Sequence, residues 1–148
     1  MKNAITLMVL GLALAAASAL AQAQSTPAGL WKTIDDETKT EKSLVRISES
    51  GGVFSGKVEK LFEANKQDGK CEKCTDDRKD KLVLGMTVIR NIKPNADDKA
   101  IWDGGDILDP NNGKVYKLRL KPVDGGKALE VRGYIGPFYR NQQWIRAE

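Results

Sequence analysis

The 148-residue sequence carries 24 Lys and Arg against 20 Asp and Glu, a formal charge of +4, and has no histidine. The missing imidazole excludes Ser-His-Asp and Cys-His catalysis and His-ligated zinc, and no catalytic constellation, metal set or cofactor motif stands in its place. The length allows one domain with a real core.

The N-terminus has the layout of an export signal: Lys2 supplies positive charge and residues 4–21 an uncharged, mostly apolar run. Small-x-small sites end it at Ala19-Leu20-Ala21 and Ala21-Gln22-Ala23. The run is close to the length of a membrane anchor, but no stop-transfer cluster follows, so residues 1–23 are expected to be a cleavable signal peptide. Residues 24–148 are then a single periplasmic or secreted domain, not an integral membrane protein. No Cys lies near either cut, which argues against a lipid-anchored product.

No later segment sustains helical apolar spacing, whereas alternation and turn signals recur. Strands are expected at 29–34, 43–48 and 53–61, the last two joined by a Ser50-Gly51-Gly52 hairpin. Residues 63–81 form a long excursion rich in both charge signs that holds Cys71 and Cys74. Strand character resumes at 82–90, breaks at Lys93-Pro94-Asn95, returns at 100–102 and bends at 103–106. After the turn Asp109-Pro110-Asn111-Asn112-Gly113, residues 114–121 alternate strictly, with Tyr116, Leu118 and Leu120 on one face and Lys117, Arg119 and Lys121 on the other. Pro122 is expected to end this strand. Residues 128–134 and 141–146 complete about eight short strands, the pattern of an all-β, small antiparallel up-and-down β-barrel. Closure removes the exposed edges that so short a meander otherwise leaves.

Four features carry candidate chemistry. Cys71 and Cys74 suit a small disulfide ring in an oxidising compartment; a redox pair or a two-thiolate metal site with Asp76 or Asp77 are the alternatives. Asp103, Asp106 and Asp109 with Asn111 and Asn112 fit turn chemistry better than a calcium loop or a glycosidase carboxylate pair, because the calcium-loop spacing is lacking. Trp31, Phe54, Met86, Trp102, Tyr116, Tyr134 and Trp144 either line a ligand cavity or fill the core. The stripe Lys117, Arg119, Lys121 is a solvated face or a docking face for an anionic partner. Residues 114–146 hold 8 basic and 2 acidic side chains, so acidic envelope polymer or anionic lipid is the favoured partner, and nucleic acid is not met by an exported protein.

Gly29-Leu30-Trp31, with Trp144-Ile145-Arg146, resembles the opening and closing motifs of the calycin barrels, the lipocalin and avidin-like proteins. That resemblance implies Trp31 packed beneath Arg146 at the barrel floor. Phe54-Ser55-Gly56 is similar to avidin, but Lys57-Val58 follows where avidin has a tyrosine, so biotin binding is not implied. Nearly all of the expected mature chain is similar to the bacterial exported family labelled domain of unknown function 2147. The likeness lies in Gly29-x-Trp31, Cys71-Glu72-Lys73-Cys74, residues 104–116, residues 129–136 and Trp144-Ile145-Arg146. It implies a lipocalin-like barrel and no catalytic residues. Two functions follow as expectations: a binding module for a small hydrophobic or amphipathic molecule, or a structural or interaction protein of the envelope with a filled barrel and a basic C-terminal surface.

Overall fold

The computed structural model describes residues 25–148; the expected signal peptide and both cleavage sites lie outside them. Eight strands run in sequence order, each antiparallel to the next: β1 (Gly29–Ile34), β2 (Glu41–Ser50), β3 (Val53–Leu61), β4 (Thr87–Pro94), β5 (Trp102–Asp109), β6 (Lys114–Val123), β7 (Ala128–Ile135) and β8 (Phe138–Arg146). β8 returns to β1 through Trp31↔Arg146 and Lys32↔Ile145, which closes the up-and-down barrel. No helix among the described residues is long and apolar enough to cross a membrane.

Period-two patterning fixes what faces inward. On β2 the buried positions are Ser43, Val45 and Ile47, and on β6 they are Leu118 and Leu120. The β2–β3 hairpin reverses at Gly51 and Gly52, both at positive φ (58° and 81°), a turn that side-chain-bearing residues adopt at a cost.

One end of the barrel is closed. Trp31 is fully buried, and its Nε1 donates to the Pro27 carbonyl at 2.7 Å. The Arg146 guanidinium lies 4.2 Å from the indole centroid and donates to the carbonyls of Gly126 (2.5 Å) and Ala28 (3.1 Å). One cation thereby joins the N-terminal segment, the β6–β7 hairpin and the first strand. Gly29, at φ 137°, leaves room for it: a Cβ there would sit 2.3 Å from an Arg146 nitrogen. At the same end Phe54 and Trp102 meet edge to face with centroids 6.3 Å apart, within a core that includes buried Ile47, Ile92, Leu120 and Leu129.

Several boundaries differ from the expectation. Residues 82–86 are not strand. Gly85 takes φ 85°, Leu82 and Leu84 are exposed, and pairing with β3 begins only at Thr87, so the excursion extends to residue 86. The bend expected at 103–106 is a bulge within β5, where the register with β6 shifts between Trp102 and Gly105. Pro122 lies inside β6, which runs on to Val123, instead of ending it, whereas β4 does end at Pro94. β5 stops pairing with β6 at Trp102↔Leu120, so Pro122 has a partner strand on one side only, where a residue without an N–H is tolerated.

The excursion is held down at specific points. Cys71 and Cys74 form a disulfide buried against the β5–β6 turn, with the Cys71 sulfur 3.6 Å from the Pro110 carbonyl oxygen. Gly113 lets the two loops meet, since a Cβ there would lie 2.0 Å from the Lys73 carbonyl oxygen. Buried Arg78 bonds Asp76 (2.6 Å) and the Thr87 carbonyl (2.9 Å), and Arg90 grips Asp77 with two 2.9 Å hydrogen bonds.

Candidate functional site: the open end of the barrel

The half of the barrel away from the Trp31 floor holds a cavity of about 670 Å³ that is open to solvent at its mouth. Its walls are apolar where β2, β3, β4 and β7 contribute Val45, Val58, Val88 and Val131. Polar groups stand at intervals among them. Thr33 and Ser43, opposite one another across β1 and β2, join their hydroxyls at 2.7 Å. Trp144 donates its Nε1 to Gln142 Oε1 at 3.1 Å, and the Tyr116 hydroxyl accepts from Asn112 at 3.0 Å.

The mouth is formed by the β1–β2 connection, the excursion, the β5–β6 turn and the upper part of β8, and it is charged. Lys42 reaches Glu63 at 2.9 Å, Lys66 approaches the same carboxylate at 3.4 Å, and Arg140 pairs with Asp36. Asp35 folds its own loop, its Oδ1 accepting from the amides of Glu37 (3.0 Å) and Thr38 (2.8 Å). These contacts set the charge states. The Arg140 guanidinium holds the Asp36 carboxyl below the usual range, Lys42 does the same to Glu63, and the Thr38 amide does so to Asp35. These three carboxylates are thereby held in their charged forms by the groups that bond them.

Of the aromatic residues singled out by sequence, Tyr116 and Trp144 line the cavity. Trp31, Phe54 and Trp102 fill the floor beneath it, and Met86 is buried where the excursion rejoins the barrel. Tyr134 is a correction: it shares the outer face of β7 with Glu130 and Arg132 and pairs in register with Tyr139, 6.0 Å between centroids. Of the Asp103–Asp109 cluster, Asp109 and the neighbouring Asn112 build the β5–β6 turn, accepting from the Asn111 and Lys114 amides, whereas Asp103 and Asp106 lie within β5. The stripe Lys117, Arg119, Lys121 faces outward, with Arg119 bonded to Glu130 at 3.1 Å.

Sequence reasoning passed over Thr33, Ser43, Gln142 and Arg140. The signal for the first three was a polar residue at an inward position: Thr33 two after Trp31, Ser43 two before Val45, Gln142 two before Trp144. Arg140 precedes the expected strand 141–146, and the signal for it is the Gly136-Pro137 turn, after which β8 starts at Phe138.

A closed, eight-stranded antiparallel barrel with a packed floor and an open lumen is a lipocalin-like barrel. The structure is similar to that of a protein from the human pathogen Helicobacter pylori described as belonging to the lipocalin family. The TM-score is 0.69 at 18% identity, with 82% of each chain covered. No curated protein matches the sequence. Residues 29–146 match the family described as "Uncharacterized protein conserved in bacteria (DUF2147)", and the chain belongs to that family.

Proposed function

We propose that this protein is an exported, non-catalytic binding module that takes a small amphipathic molecule into the upper half of its barrel, apolar part inward and polar part at the charged rim. The observation that carries this reading is the cavity itself: about 670 Å³, within the ~300–1,000 Å³ of small-molecule sites, with valines on its inner walls and a polar, charged rim. The lipocalin-like fold of the Helicobacter pylori neighbour is compatible with it. The competing reading, a filled barrel acting through its basic surface, has less support, since the filling stops at the floor and Glu130 partly neutralises the stripe through Arg119 and Arg132.

Two measurements test the proposal. An amphipathic naphthalene fluorophore is expected to quench Trp144 and to be displaced by single-chain amphiphiles. Val131→Phe, which fills the lumen, should weaken uptake by about tenfold or more while the domain melts as before. Unchanged uptake by that variant would sink the cavity reading. Export is tested separately by sequencing the N-terminus of protein recovered from a bacterial envelope fraction: Gln22 or Gln24 is expected, and an intact Met1 refutes cleavage.

A further inference from the structure

The β7–β8 hairpin turns in two residues, Gly136-Pro137, and carries an apolar tip that nothing in the fold covers. Ile135 and Phe138 face each other across it, 47% and 73% exposed, and the next residue, Tyr139, is 59% exposed. Exposed aromatic and aliphatic side chains grouped at one tip mark an interaction site. Cations flank this one on the outer face. The Arg132 guanidinium lies 4.4 Å from the Tyr139 ring centroid, and Lys117 pairs in register with Tyr134. Lys114, at the start of β6, is exposed, and no carboxylate bridges Lys114 or Lys117 among the described residues. On the outer face Glu130 lies 3.8 Å from Arg132, while Asp36, and at longer range Glu37 and Asp109, act on Arg140, which lines the lumen.

From this arrangement we propose that the tip of the β7–β8 hairpin docks the protein on an anionic lipid bilayer, Phe138 and Ile135 entering the interface while Lys114, Lys117 and Arg132 meet lipid phosphates. Charge complementarity chooses this partner. Lys114 and Lys117 stand on the strand beside the tip with no bridging carboxylate among the described residues, and an aromatic wedge flanked by cations gains from both the apolar and the anionic layer of such a surface. Arg140, two residues beyond Phe138, lines the cavity mouth, so docking brings that mouth to the source of an amphipathic ligand. Only this last step rests on the cavity reading.

Vesicle flotation tests the docking, with protein purified after expression of the full sequence. Vesicles of phosphatidylcholine with about three parts in ten phosphatidylglycerol are expected to bind it about tenfold or more better than pure phosphatidylcholine, and raised salt should erase the difference. Phe138→Ser should lower binding by about tenfold, with Tyr139→Ser as an independent second variant, and Lys114→Glu with Lys117→Glu should abolish the preference for anionic vesicles. Equal binding to both compositions, or binding indifferent to Phe138→Ser and Tyr139→Ser, overturns the proposal. So does a salt-sensitive complex with soluble polyglutamate that replaces vesicle binding, or a dimer in solution that Phe138→Ser dissociates without any vesicle binding. Val131→Phe should leave flotation unchanged and Phe138→Ser should leave fluorophore uptake in solution unchanged, so either reading can fail alone.

Discussion

Strands β1 and β8 each span both ends of the barrel, and their inward residues change character along the way. At the closed end Trp31 is fully buried under Arg146, with its one polar atom bonded to Pro27. One inward step up β1, Thr33 offers a hydroxyl to Ser43, and on β8 the inward series runs upward from Arg146 through Trp144 and Gln142 to Arg140, whose side chain is 60% exposed at the rim. Large side chains interdigitate at the floor and leave no lumen, whereas valines and short polar groups above it leave space that only a ligand or water fills. The same period-two alternation thus builds a plug and a vessel, and residue size and polarity decide which.

The largest effect is expected where the plug is removed. Trp31→Ala deletes a fully buried indole and leaves Arg146 without its ring, and a loss of about 3–5 kcal/mol in urea unfolding is expected. If the variant loses less than about 1 kcal/mol, the floor does not govern stability as the contrast requires.

Opening the disulfide should act more weakly and at the other end. Cys71→Ser with Cys74→Ser releases a ring too short to contribute more than about 2 kcal/mol by chain entropy. Amide exchange should quicken in the excursion and stay slow in β1 and β8; equal quickening everywhere would show that the two ends unfold as one unit.

The smallest effect concerns pH. Asp76, bonded first through Arg78, has its pKa lowered from 3.8 to about 2. A carboxylate whose folded pKa lies below its unfolded one stabilises fully above the unfolded value and loses that stabilisation as pH falls. The excursion should therefore loosen between about pH 4 and pH 2, read as exchange at Lys79 and Lys81, while Asp76→Asn should be loosened already at neutral pH and respond less to acid. An excursion indifferent to pH across that window would mean that the Arg78 anchor contributes nothing.

Much of the fold was legible beforehand because its signals are local. The strict alternation of 114–121 and the Gly51-Gly52 turn each reflect backbone constraints set by near neighbours. The misplaced boundaries have a common cause. Leu82-Val83-Leu84 looks like strand, yet the excursion ties Val83 to the Gly69 carbonyl and Gly85 to that of Val58, so hydrogen bonds from distant residues overrule the local pattern. Tyr134 went to the wrong face for a related reason: an aromatic residue is apolar enough to be counted as core, and only the register of Leu118 against Gly133 shows the inward position to be its neighbour's.

The sequence by itself determined an all-β chain of short, turn-punctuated strands, because side-chain alternation and positive-φ glycines act over a few residues. Tertiary structure alone decided where the barrel is full and where it is hollow, since that depends on side-chain volumes summed across eight strands that meet only after closure. It also decided that Arg140 meets Asp36 at the rim and that Phe138 is left without cover, both consequences of β8 being folded back along β7 and against β1.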